Sequence, residues 1–95
     1  MNKWPVEIGS IVISKAGRDQ GRLFLVIEEV DADFVRVANG ALRKLDRLKK
    51  KRRKHLKPTG RVVTELKERL SQAKPVEDHE LRTWLSEEEE KLVQV

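Results

Sequence analysis

Two short apolar runs, Ile11-Val12-Ile13 and Leu23-Phe24-Leu25-Val26-Ile27, flank the charged segment Lys15-Ala16-Gly17-Arg18-Asp19-Gln20-Gly21-Arg22. Side chains branched at Cβ are stiff at their first torsion and fit a pleated surface, so each run predicts a strand. Gly17 and Gly21 supply the positive-φ conformations that a tight reversal needs. The chain is thereby committed at its start to an antiparallel hairpin. Phe34-Val35-Arg36-Val37-Ala38 predicts a third strand, with Phe34 and Arg36 on one side and Val35 and Val37 on the other. Asp31-Ala32-Asp33 supplies the turn before it, and Asn39-Gly40 the turn after it. A fourth strand is expected near Leu42 to Leu45 and a last one near His55 to Lys57, ended by Pro58 and Gly60. Short strands spaced by turn residues predict a mainly β fold, a small barrel.

Beyond Gly60 the period changes. Val62, Val63, Leu66 and Leu70 recur at helical spacing opposite Glu65, Lys67, Glu68 and Arg69, predicting an amphipathic helix over about 62–72 that Lys74-Pro75 breaks. A second helix is expected to start at Asp78, whose carboxylate can accept from N–H groups of the first turn, and to bury Leu81, Trp84 and Leu85. Ser86-Glu87-Glu88-Glu89 has capping-box spacing, so either one bent helix or two short ones fit this stretch. The expected organisation is a barrel over residues 1–60 and a helical extension with an acidic end over 61–95.

Charge is divided along the chain. Residues 1–75 hold 19 Lys/Arg against 9 Asp/Glu, a net +10, whereas residues 76–95 hold 2 against 7, a net −5. Such cationic density attracts a polyanion and releases its condensed counterions. No basic amphipathic helix accompanies the charge, which disfavours a membrane partner. Cysteine is absent, so disulfides and thiolate zinc sites are excluded. No run approaches the roughly 20 apolar residues that span a bilayer. Met1-Asn2-Lys3-Trp4-Pro5 lacks the apolar stretch of a signal peptide, so a cytoplasmic protein is expected.

Two clusters carry the chemistry. In the hairpin turn Lys15, Arg18 and Arg22 would project towards phosphate while Gly17 and Gly21 allow close backbone approach. The alternative is that the glycines only make the turn and the cations are solvated. Asp19, a carboxylate that repels phosphate, is expected to accept local backbone N–H groups and hold the loop, as Gly40 holds the later turn. The second cluster is Arg43, Lys44, Arg47, Lys49, Lys50, Lys51, Arg52, Arg53, Lys54 and Lys57, ten cations with a single acid, Asp46, among them. Self-repulsion predicts disorder for much of that run in the free protein, relieved by a polyanion. Its arginines, which grip phosphate bidentately, are the better oriented contacts. A solvated loop or a nuclear-import signal is the plainer reading.

There is no Tyr, and both Phe24 and Phe34 fall in predicted strands, so base stacking is not expected and a folded RNA read through backbone and shape is. Trp4 is expected to pack at the barrel edge. His55 and His79 have no neighbours at metal-ligand spacing, and neither a nucleophile elbow nor a phosphate-cradling loop occurs, so no cofactor, metal or enzymatic activity is expected. Leu81, Trp84 and Leu85 either pack on the barrel or dock a protein partner. Glu87 to Glu90 offer a further idea, an acidic run folding back on the basic segment.

Ile8-Gly9-Ser10-Ile11-Val12-Ile13-Ser14 and the Gly-Arg-Asp-x-Gly-Arg turn resemble a KOW motif, the short element of ribosomal proteins and NusG-type transcription factors. Asn39-Gly40-Ala41-Leu42-Arg43-Lys44-Leu45, the lysine run and Lys54-His55-Leu56-Lys57-Pro58-Thr59 are similar to the "L-fourteen-e" family of large-subunit ribosomal proteins of archaea and eukaryotes. The resemblance covers roughly residues 6–59. Phe24 stands where the bacterial type has a third glycine, which points to the archaeal-like subgroup. The resemblance implies an SH3-like barrel of KOW type, and binding to structured ribosomal RNA of the large subunit as a ribosomal or ribosome-associated protein of translation. A NusG-like module that binds protein partners is the alternative, and a non-specific DNA-binding role the third.

Overall fold

A computed structural model describes residues 6–93 of the chain, with side chains to Lys91; Trp4 lies outside the described residues. The element order is β1 (Ser10–Ser14), a 3-10 turn (Gly17–Asp19), β2 (Leu23–Glu29), β3 (Phe34–Ala38), β4 (Lys49–Arg52), a second 3-10 turn (Arg53–His55), β5 (Leu56–Val62), α1 (Thr64–Ser71) and α2 (Asp78–Val93). The five strands form one antiparallel sheet in the order β4-β3-β2-β1-β5. It is an open sheet, with β4 and β5 at its two edges.

Strand alternation divides the apolar residues between two cores. Ile11, Leu23, Leu25 and Ala38 face the helices and pack with Val63, Leu66, Leu81 and Leu85, while Trp84 and Leu70 close over them. Leu81, Trp84 and Leu85 are therefore used in the core. Val12, Phe24, Val26, Val35 and Val37 point to the opposite side of the sheet and form a second cluster with Val6 and Leu56. Phe24 is fully buried there. An alternating strand normally buries one side; here β1 and β2 bury both, which is why their sequences read as continuous apolar runs.

The β1–β2 hairpin, β3 and the Asp31 turn form as expected. Asp31 Oδ1 accepts the N–H groups of Asp33 and Phe34, each at 2.8 Å, and these two donors hold its carboxyl below the usual carboxylate range.

The structure corrects several boundaries. Residues 42–45 are not a strand: Asn39 Oδ1 accepts from Ala41 and Arg43, and the Leu45 N–H donates to Asp78 Oδ1 at 2.8 Å, so the loop satisfies its backbone outside any ladder. The fourth strand is Lys49–Arg52, within the run expected to be disordered. β5 does not stop at Pro58 and Gly60 but runs to Val62. An edge strand bonds a neighbour on one side only and so accommodates proline. Gly60, at φ 93°, falls where the β1–β5 register shifts, and the Thr59 hydroxyl donates to the Ile11 carbonyl at 2.9 Å. Asp78 reaches the Leu45 amide instead of capping α2, and the Glu77 N–H donates to Glu80 Oε1 at 3.1 Å. α2 is one continuous helix through Ser86.

Candidate nucleic-acid interface

β4 explains how four consecutive cations are built into a sheet. Its register pairs Val35 with Lys51 and Val37 with Lys49, and on the other face Phe34 with Arg52 and Arg36 with Lys50. Lys49 and Lys51 therefore lie on the side of the second core, where long methylene stems can cover apolar surface while the ammonium groups seek polar partners. Those partners come from the β1–β2 turn. Lys49 Nζ donates to Asp19 Oδ2 at 2.6 Å, Lys51 Nζ lies 3.5 Å from the same oxygen, and Lys51 Nζ donates to Ser14 Oγ at 2.9 Å. The Lys51 ammonium also sits 5.6 Å from the Phe24 ring centre.

Asp19 is thus a tertiary anchor, where the sequence suggested a local backbone acceptor. Its Oδ1 is also 3.9 Å from Arg22 Nε. The hydrogen bond from Lys49 and the charges of Lys49 and Lys51 hold the Asp19 carboxyl below its ordinary range, against the opposing effect of its burial. One carboxylate ties residue 19 to residues 49 and 51, so the turn is fixed against the second-core side of β4, while Lys50 and Arg52 lie on the other face of that strand.

Arg53 is also engaged within the protein. Its guanidinium donates to the carbonyls of Val6 (2.7 Å) and Asp31 (3.1 Å) and to Glu29 Oε1 (2.9 Å), clamping β4 to the β2–β3 turn and to the start of the chain. Lys49, Lys51 and Arg53 consequently serve the fold, and a run of identical charge gave no sign of which members turn inward.

The other cations stay outward. Lys15, Arg18 and Arg22 are exposed on the turn, Lys50 and Arg52 on β4, Lys54 on the second 3-10 turn and Lys57 on β5 opposite Ile13. Lys44 and Arg47 are exposed and Arg43 half-buried in the loop that precedes β4, and this loop is held to the start of α2 through Leu45 and Asp78. Gly17 and Gly21 have φ of 77° and 88° with open space where a side chain would stand, so their role is the turn itself. The acidic run meets Arg61 of β5: Glu87 and Glu88 lie 3.6 and 3.5 Å from its guanidinium. Among the described residues no ion pair joins it to segment 43–57.

Sequence reasoning treated the two phenylalanines alike, and the structure separates them. Phe24 is buried, whereas Phe34 is half-buried on the same side of β3 as Ala38 but outside the helix-covered cluster. Lys50 Nζ lies 4.6 Å and Arg52 Cζ 5.1 Å from the Phe34 ring centre. Beside them Arg36 donates to Glu28 Oε1 at 3.0 Å. The alternation of β3 had already put Phe34 and Arg36 on one side.

No described helix is long and apolar enough to cross a membrane, and among the described residues no group of three His, Cys, Asp or Glu is placed to hold a metal ion. No protein-family model matches the chain, and no curated protein is detectably similar to it.

Proposed function

We propose that this protein is an RNA-binding module of KOW type with an SH3-like sheet, acting in the cytoplasm on structured ribosomal RNA as a ribosomal or ribosome-associated protein. The observation that carries this reading is the junction at Asp19, which holds the turn bearing Arg18 and Arg22 against the strand bearing Lys50 and Arg52. Cations carried on an ordered turn and an ordered strand lose less conformational freedom on binding than a disordered basic run would. The antiparallel order, with β5 returning beside β1, suits a barrel of this class, and the sequence resemblance points the same way.

Arg18, Arg22, Lys50, Arg52 and Lys54 are the phosphate contacts, with Lys15 beside them on the turn. Engaging about five phosphates makes log affinity fall against log salt with a slope of about −3.5 to −4.5. Titration of a structured ribosomal RNA fragment from 50 to 300 mM salt measures that slope, and a slope near zero overturns the mechanism. R52E is the informative charge reversal: binding weakens and the slope becomes shallower by about one contact. Reversal at Arg53 is not informative, because it would break the clamp to Val6 and Glu29. Binding that survives R52E and R18E together would favour the protein-partner reading.

A further inference from the structure

We propose that the Phe34–Arg52 pair is a stacking subsite for one unpaired nucleobase, with Lys50 holding the phosphate beside it; this rests on the RNA-binding reading above. The sheet side shared by Phe34, Arg36, Lys50 and Arg52 follows from the β3–β4 register, and it lies beyond the helix-packed cluster that includes Ala38. An aromatic ring left outside both cores, on a strand that buries Val35, Val37 and Ala38, has no packing role in either of them. Its neighbours are cations: Lys50 Nζ at 4.6 Å and Arg52 Cζ at 5.1 Å from the ring centre.

The occupant is set by complementarity of charge and shape. A ring draws a guanidinium over it by its quadrupole, which orders the long Arg52 side chain. The planar guanidinium then offers a surface to a flat, electron-rich partner, and arginine planes as well as aromatic rings stack unpaired bases. A nucleotide satisfies both parts, since its base stacks and its phosphate meets Lys50. Among the described residues Glu28 is engaged with Arg36, and the Asp31 carboxyl, which feels the charge of Lys50, is hydrogen-bonded by the N–H groups of Asp33 and Phe34. A fully paired helix keeps its bases stacked inside and cannot use such a subsite. The target is therefore a structured RNA carrying a bulged or looped-out nucleotide, bound through backbone elsewhere.

The test uses the whole protein and two RNAs, a 20-base-pair duplex and the same duplex with a single-nucleotide bulge, with F34L and R52K as the variants. R52K keeps the charge and removes the plane. Wild type is expected to prefer the bulged RNA by about five- to tenfold, in line with one stacked base. Both variants should lose that preference, and F34L, at a residue outside the phosphate contacts, should keep duplex affinity within about twofold and retain the salt slope. A thermal melt of each variant confirms that it is folded, and R52K, exposed on the strand surface, decides the matter if F34L is not. Equal preference for bulged RNA in wild type and R52K overturns the subsite while leaving the phosphate mechanism standing. Absence of salt-dependent binding to either RNA overturns the RNA reading and the subsite with it.

Discussion

Asp19 sits among cations that would otherwise face one another, and its value to the fold is electrostatic. Lys49 and Lys51 both approach the same carboxylate oxygen, at 2.6 and 3.5 Å, and the carboxyl group is mostly shielded from solvent. Because folding lowers the Asp19 pKa, its stabilisation is fully present above the unfolded value near pH 4 and is lost as pH falls through the lower folded value. D19N keeps the shape and removes the charge. It is expected to lower stability by about 1.5–3 kcal/mol at pH 7, the range for hydrogen bonds to charged groups. Urea unfolding at pH 7 and pH 3 measures this, with the gap between variant and wild type narrowing at the lower pH. An unchanged midpoint at pH 7 would show that the anchor is not needed to fold.

At the scale of elements, the end of α1 is set by backbone geometry one residue before Lys74-Pro75 takes effect. Ala73 has φ 56°, the left-handed conformation in which a helix commonly terminates. The Ala73 N–H donates to Leu70 O at 3.2 Å and the Lys74 N–H to Arg69 O at 2.8 Å, which satisfies two of the last carbonyls. Glycine adopts this conformation without strain, and alanine does so at about 1 kcal/mol or more. A73G should therefore raise stability by about 0.5–1 kcal/mol once the added freedom of the unfolded chain is subtracted, seen as a melting point a few degrees higher. A lower melting point would place the end of α1 elsewhere. The same scale accounts for the two edges of the sheet. β4 is edged with cations and β5 contains a proline and a bulge, features that discourage a second sheet from pairing there.

For the whole molecule, the decisive joint is where the loop before β4 meets α2. Gly40 has φ 77°, and a Cβ placed there would stand 2.4 Å from the Asp78 carbonyl oxygen. The Arg82 guanidinium donates to the Gly40 carbonyl, and Asp78 takes the Leu45 amide. This joint positions α2 so that Leu81 and Leu85 reach the helix-side core. G40A is expected to lower stability by about 2–4 kcal/mol, combining left-handed strain with a backbone clash that flexible side chains cannot relieve. Denaturant midpoints read this directly, and a loss under about 1 kcal/mol would mean that α2 shifts away without consequence.

Strands β1 to β3, the turns around them and the existence of both helices were legible in the sequence, because their signals are local: β-branched runs, Asp and Asn–Gly turns, and a helical apolar period. The basic run was misread for the same reason. Counting charges predicts repulsion and disorder, and nothing within residues 49–54 shows that Asp19 and Ser14 stand ready for Lys49 and Lys51 or that Phe34 and Phe24 lie under cations. Pro58 and Gly60 likewise signal a stop unless the strand is known to be an edge. Asp78 signals a cap unless the Leu45 amide is known to be nearer. The sequence alone therefore determined strands β1 to β3, the existence of the two helices and the strongly cationic character of the chain. The tertiary structure decided which cations serve the fold and which remain at the surface, because that depends on partners far apart along the chain that only the folded sheet brings within hydrogen-bonding distance.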